Sequence, residues 1–410
     1  LKKITIIGGG IIGLSSAYFL LKEGFEVTVI DKSNFSSGAS FVNAGYISPS
    51  HIVPLAAPGR VAQGIKYMFD SSSPFYMKPR LDKDFLKWAW LFQKSCSKKN
   101  VEKSAQSILD LTLLSQGLFK EIYESGDVEF HLEHKGLLMA FQTEASKHHE
   151  EEVVDKASKM GLQIEYLDQK ALAVLEPNLV AEGAFHYHND SHTTPKLFMD
   201  AMKHYLRKSG VKLNTNEEVI NIIPRGEKVE VTTSLGDYIS DEVVVATGSW
   251  SENMAKKLGV YLPVQAGKGY CINTETPTGI KHPTIIMEAN AAVTPMSGFT
   301  RFAGTMEIAG LNETIRKERV EAIAAAAKRF YKDLDFTSEE KSKATFGFRP
   351  VSPDGVPFIG NLKNHRNITI ATGHAMMGWS MGPGTGKIIS EIIAKKQSSL
   401  TLERFSPERF

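Results

Sequence analysis

Six residues near the N-terminus, Gly8-Gly9-Gly10-Ile11-Ile12-Gly13, restrict the chain more than any other feature in it. They follow Lys3 to Ile7, a β-branched run of the kind that forms a buried parallel strand. They lead into Leu14, Ala17, Tyr18 and Leu21, spaced i, i+3, i+4, i+7 along one helix face, with Gly24 as a stop. Glu26-Val-Thr-Val-Ile30 then predicts a second strand ending at Asp31. Each glycine has a physical reason: Gly8 permits the turn, Gly10 lets backbone approach a pyrophosphate, and Gly13 lets the helix pack on the strand. The helix start at Ile11 and Ile12 attracts phosphate, and Asp31, with Lys32 beside it, takes the ribose hydroxyls. An acid there selects an unphosphorylated adenosine ribose over NADP. A glycine-rich turn without a ligand would leave the register of that acid unexplained, so dinucleotide binding is the stronger reading.

Residues 4 to 21 carry no charge and are about as long as the ~18 apolar residues of a membrane helix, but four glycines, Gly8, Gly9, Gly10 and Gly13, break such a helix in its middle. With 48 basic and 46 acidic residues the formal charge is +2, too even for electrostatics to drive binding to nucleic acid, and a small-molecule ligand is the default. Cys96 and Cys271 have no CxxC or Cys/His spacing, so no metal site or disulfide is expected, and a reducing, cytoplasmic setting fits. A length of 410 residues implies about two or three domains.

FAD and NAD share the fingerprint, and the rest of the chain favours FAD. Val211 to Gly248 reads as a strand, a hairpin turning at Gly236, and Glu242-Val-Val-Val-Ala-Thr247-Gly248, with Val219, Thr247, Gly248 and Trp250 as candidate cofactor contacts. Ile368 to Thr372 reads as another strand, running into Gly373-His374 and a loop that ends Gly382-Pro-Gly-Thr-Gly386 before a helix. Two glycine-containing strand ends from distant parts of the chain suit a long, extended cofactor.

The chain resembles the FAD-dependent D-amino-acid oxidase superfamily over nearly its whole length, and within it the bacterial D-amino-acid dehydrogenases. The resemblance rests on Gly8 to Gly13 with Asp31, Ser40-Phe-Val-Asn43-Ala44-Gly45-Tyr46-Ile-Ser48, Lys268-Gly-Tyr270, Arg301 to Glu307, Phe346-Gly-Phe-Arg349-Pro with Ser352 to Gly355, and Thr372-Gly373-His374-Ala-Met-Met377-Gly378-Trp379, next to Ser380. Asp190-Ser-His-Thr-Thr-Pro195 departs from the family pattern and either tunes the substrate or starts a helix. The resemblance implies an α/β fold: a Rossmann-like FAD-binding domain from segments 1–50, 195–255 and 345–410, and an α+β substrate domain with a mixed sheet from 51–194 and 256–344. It also implies that the Asn43 turn passes the flavin and that Arg349 binds a substrate carboxylate.

The chemistry points the same way. Arginine's planar fork meets a carboxylate bidentately, so Arg349 is the expected anchor; the plainer alternative pairs it with Asp354. Tyr270 is a candidate for the same carboxylate, and Tyr46, Ser48 and His51 are candidate pocket lining. Hydride transfer from a neutral amine needs no base at Cα, so His374 is expected to touch flavin. Oxidation of D-amino acids to 2-oxo acids and ammonia is the leading expectation, with quinone or oxygen as electron acceptor. Oxidation of D-proline, hydroxyproline, sarcosine or glycine is the rival, and a flavin domain acting on modified nucleic acid is the rival of another class. The run Phe85 to Phe92, flanked by Lys78, Arg80, Lys83, Lys87, Lys94, Lys98 and Lys99, reads as a buried helix with basic ends, or as a peripheral membrane contact.

Overall fold

The computed structural model describes residues 1–58, 75–78 and 80–410. Its first sheet grows from the N-terminal β-branched run. β1 (Lys3–Ile7) lies parallel to β2 (Glu26–Ile30) on one side and to β14 (Glu242–Val245) on the other. β10 (Lys212–Asn214), β21 (Ile368–Thr372) and β20 (Phe358–Asn361) complete the order β10-β2-β1-β14-β21-β20, and only β20 runs antiparallel. Covered on both faces, the central strands bury Ile4, Ile6, Val243, Val244, Ile368 and Ile370, which is why they read as unbroken apolar runs. The strand-turn-helix reading of the uncharged N-terminal stretch holds, with α1 at Ile11–Lys22.

The glycines of Gly382 to Gly386 differ from the expected loop. They form the first turns of the helix Gly382–Ile393. A Cβ on Gly386 would lie 2.5 Å from the Ser15 backbone of α1, and one on Gly384 would lie 2.9 Å from the Leu111 carbonyl of the helix Lys98–Glu124. Each costs about 1 kcal/mol of helix propensity against alanine, offset by the closer approach of three helices.

The second sheet is mixed, with nine strands among the described residues. It runs β19 (Thr345–Val351), β15 (Gln265–Thr274), β18 (Phe299–Ile308), β17 (Ala291–Met296), β16 (Thr284–Ile286), β6 (Leu137–Phe141), β8 (Gly183–Tyr187), β7 (Ile164–Asp168), with β4 (Phe75–Met77) also on β18. The helix Lys317–Phe330 covers it through Ile323, Ala324 and Ala327. A small sheet comprises β3 (Tyr46–Ile47), β9 (Ser191–Thr193) and β5 (Leu132–Glu133), in the order β3-β9-β5. The expected hairpin is present as β12 (Lys228–Thr233) and β13 (Asp237–Ser240), joined by β11 (Val219–Arg225).

The aromatic helix Lys83–Ser95 is not buried all round. Phe85, Trp88 and Phe92 fall on one stripe and are buried; Leu86 and Trp90 fall on the other and are 50% and 53% exposed. Among the described residues no helix is long and apolar enough to cross a membrane.

Candidate active site

The fingerprint is held by contacts that leave no room for a side chain. Gly8 has φ +108°, and a Cβ there would sit 2.4 Å from the Ala246 carbonyl oxygen; at Gly13 it would sit 1.9 Å from the Gly8 carbonyl oxygen. Gly9, which has no ligand-based reason to be glycine, lies against the Phe35 ring at 2.0 Å from such a Cβ. Gly10 differs: its nearest neighbour would be Ser40 Oγ at 3.1 Å, and its open side faces the cavity. Ser40 Oγ, on the short helix Ala39–Val42, in turn accepts from the Ile11 N–H at 2.9 Å, capping the helix start from outside it. Asp31 accepts from the Gly9 N–H at 2.6 Å and from the Ser33 N–H at 2.7 Å, so its carboxylate is anchored to the turn it accompanies.

One cavity of about 660 Å³ gathers residues from all three distant segments. Gly8, Gly10, Ile11, Ile12, Asp31, Lys32, Ser40 and Asn43 line it from the N-terminal segment, and Val219, Thr247, Gly248 and Trp250 from the middle one. Arg349, His374, Gly378 and Trp379 line it from the C-terminal segment. The Lys32 ammonium sits 3.8 Å over the Trp250 ring. Asn43 shapes its own turn: its amide donates to the Ala39 and Ser40 carbonyls and its oxygen accepts from the Gly45 N–H. A dinucleotide fits this wall, because Gly10 leaves open space beside the helix start and Asp31 stands at the end of β2 in the same cavity.

Other expected cofactor residues stand behind the wall. Gly13 packs helix on strand, and the Ala44 carbonyl accepts from Thr294 Oγ1. Gly45, at φ +74°, would clash with the Thr193 carbonyl, and Gly373, at φ +80°, with the Phe358 ring. Met377 packs on the core, while Ser380 Oγ donates to the Tyr46 carbonyl and accepts from the Ser48 N–H.

Arg349 is the one expected substrate residue on the cavity wall. Its Nη1 donates to the Thr305 carbonyl at 2.7 Å, and among the described residues no carboxylate pairs with it. Asp354, the alternative partner, is taken by Arg409 in a bidentate pair with both distances 2.8 Å. Loss of water around the guanidinium pulls its pKa down to about 10, so it remains charged at neutral pH. Gly269 of β15 makes room for it, since a Cβ there would lie 2.2 Å from Nη2. Sequence reasoning missed Gly269, although the register Gly267 opposite Arg349 follows once β15 and β19 are known to pair.

Tyr270 does not join Arg349. Strand alternation turns it to the other face of β15, where its hydroxyl donates to Glu307 Oε2 at 2.7 Å beside Lys268 and Arg319. Tyr46, Ser48 and His51 also lie off the cavity wall. The Tyr46 hydroxyl donates to the Thr284 and Val293 carbonyls, and His51 contacts Ser50, with burial lowering its pKa to about 4. Asp190 binds Ser50 beneath them, its pKa raised to about 7 by burial. Arg301 supports the Asn43 turn by donating to the Phe41 and Asn43 carbonyls. His374 reaches the wall, but its Nε2 lies 3.0 Å from Thr385 Oγ1, and burial lowers its pKa to about 3.

A family model described as FAD dependent oxidoreductase matches residues 3–392. The chain is 31% identical over 408 residues to a D-amino acid dehydrogenase of Vibrio vulnificus strain CMCP6, covering 97% of each, and 28% identical to one of Granulibacter bethesdensis, again 97% of each. Among solved structures, glycine oxidase from Geobacillus kaustophilus superposes with a TM-score of 0.79 at 19% identity over 100% of both chains. L-proline dehydrogenase from P. horikoshii superposes with a TM-score of 0.76 at 20% identity, over 100% of this chain and 97% of the other. These two likenesses speak to the fold, and the full-length match of fingerprint, acid and distant strand ends leads to the conclusion that this chain belongs to the FAD dependent oxidoreductase family.

Proposed function

We propose that this protein oxidises D-amino acids to 2-oxo acids and ammonia, with Arg349 as the carboxylate anchor. The observation that carries this reading is a half-buried, largely desolvated arginine without a carboxylate partner among the described residues, in the same cavity as Asp31 and Gly10. A charge that has lost much of its water on a cavity wall favours an anion as its partner. Bound FAD supplies the acceptor for the two electrons and the hydrogen that leave the substrate Cα. Gly8, Gly10, Asp31, Val219, Gly248 and the Gly378-Trp379 segment would hold it. Arg349 fixes the carboxylate end of the amino acid, and the Thr305 carbonyl fixes Arg349, so substrate orientation is set by two linked hydrogen-bonded groups. The names of the relatives support the D configuration. A panel of D- and L-amino acids, glycine, sarcosine and prolines, offered anaerobically, should show loss of flavin absorbance with D-amino acids first. Bleaching only by L-amino acids, or by none, would overturn the reading, and bleaching by glycine or sarcosine alone would favour the secondary or small amines.

Gly269 supplies a separate test. Gly269→Ala should keep FAD bound yet lower kcat/KM by roughly 10- to 100-fold, because displacing the guanidinium by about 1 Å misaims the substrate. Unchanged kinetics would mean that the guanidinium position is immaterial.

His374 is already neutral throughout the working range, since its lowered pKa lies far below it, and it contacts Thr385. It neither gives nor takes a proton as pH rises from 6 to 10. The rate of anaerobic flavin reduction should therefore climb with pH as the substrate ammonium deprotonates, and then level off. His374→Ala should keep that profile. Loss of the controlling ionisation with a fall of roughly 100-fold or more would instead make His374 a base.

Leu86 and Trp90, exposed on a helix that also presents Lys83 and Lys94, support peripheral contact with an anionic membrane surface on the cytoplasmic side, where a quinone acceptor is met. Co-sedimentation with anionic but not neutral vesicles, lost in Leu86→Ser/Trp90→Ser, is the expected result.

A further inference from the structure

The small sheet β3-β9-β5 holds a side-chain cluster that the cavity does not use. Glu133 of β5 is in register with His192 of β9, and His131 stands two residues before Glu133. His192 Nε2 lies 3.3 Å from Glu133 Oε2, and His131 Nε2 lies 3.7 Å from Glu133 Oε1. The two imidazole centroids are 5.6 Å apart with their planes at 73°. A tetrahedral zinc ion with ligands at about 2.0–2.2 Å separates its donor atoms by about 3.3 Å and two imidazole centroids by about 5 Å. The cluster has nearly that shape.

A second observation is independent of those spacings. His192 is completely buried with the Pro295 carbonyl as a backbone hydrogen-bond partner, yet its Nε2, which lies toward Glu133, makes no well-formed hydrogen bond among the described residues. Buried ring nitrogens are normally paired. His131 has its other nitrogen fixed: Nδ1 is 3.0 Å from Thr194 Oγ1, which also accepts from the Ser297 N–H at 2.9 Å. With Nδ1–H donating to Thr194, the Nε2 lone pair faces the cluster, as the outer partner of a metal-bound histidine arranges it.

We propose that His131, Glu133 and His192 form a binding site for a divalent transition metal of the zinc class, completed by water. Lys135 is the competitor. Its ammonium sits 2.7 Å from Glu133 Oε2, and it must swing away for an ion to enter; a side chain that is 41% exposed can do so. The role is structural, since none of the three ligands lines the cavity. The ion would brace β9, whose Thr193 accepts from the Trp379 indole N–H at 3.0 Å and donates its own N–H to the Gly45 carbonyl at 2.8 Å. Cysteine spacing could not reveal this site, because its ligands are imidazole and carboxylate and Glu133 and His192 are 59 positions apart along the chain.

The test is calorimetric titration of Zn²⁺ into the FAD-loaded protein, purified without a histidine tag and stripped with chelator. One ion per chain should bind with a rise in melting temperature. His131→Gln, at a partly exposed position where folding is not at stake, should weaken binding by at least about 100-fold, more than the roughly 10- to 100-fold cost of losing an outer partner. Glu133→Gln should do the same, and Lys135→Ala should tighten binding several-fold. His188→Gln, which breaks the separate, partly exposed cluster Glu165/His186/His188, should leave this binding intact. Absence of stoichiometric binding, or binding unchanged in His131→Gln, or binding abolished by His188→Gln, overturns the proposal.

Discussion

Gly10→Leu should purify as a folded chain that has lost its yellow colour, with FAD retention below roughly one-tenth of the wild-type level, because the side chain fills the space that the pyrophosphate needs. The protein itself tolerates the substitution: a Cβ on Gly10 meets only Ser40 Oγ at 3.1 Å and otherwise points into the cavity. Gly13→Ala is the contrasting case. Its Cβ would sit 1.9 Å from the Gly8 carbonyl oxygen, backbone against backbone, so it should lower the melting temperature as well as flavin content. The flavin-to-protein absorbance ratio, read beside thermal unfolding of both variants, separates the two effects. A yellow Gly10→Leu protein would place the pyrophosphate elsewhere.

Arg349→Ala should leave flavin content at the wild-type level and reduce kcat/KM by roughly 30-fold to several thousand-fold. That range corresponds to about 2–5 kcal/mol for removing one member of a charge-assisted pair on a largely water-depleted cavity wall. Arg349→Lys should recover little, because a point charge cannot reproduce the planar fork and would not reach both the Thr305 carbonyl and a carboxylate. Arg301, the other arginine of the resembling motifs, provides the control: it is spent on the Phe41 and Asn43 carbonyls, so Arg301→Ala should disturb flavin binding at the Asn43 turn. Steady-state kinetics at saturating FAD read the Arg349 effect, and the flavin-to-protein absorbance ratio reads the Arg301 effect. Near-normal turnover in Arg349→Ala would show that the carboxylate is held by another group.

Local pattern made the FAD-binding half readable. β1, α1, β2 and Asp31 form one contiguous stretch in which strand period, helix period and turn chemistry agree, and each can be inferred without knowing where the chain goes next. The hairpin at Gly236 and the strand Ile368–Thr372 are legible for the same reason. Arg349 was legible through its motif, but its lack of an acid partner was not, since that depended on Asp354 finding Arg409 55 residues away.

The sequence by itself determined which segments could contribute: a dinucleotide turn, an acid at the end of the next strand, distant glycine-bearing strand ends and an arginine suited to a carboxylate. Only the tertiary structure decided which side chains share a space. β15 alternates, so Gly269 faces Arg349 while the neighbouring Tyr270 faces Glu307, and no periodicity within β15 says which face meets the cavity. Gly9 beneath Phe35 and Gly386 against Ser15 likewise owe their identity to chains that approach from elsewhere. Pairing register and close packing are relations between segments, and a side chain's neighbours across a sheet exist only once the sheet has formed.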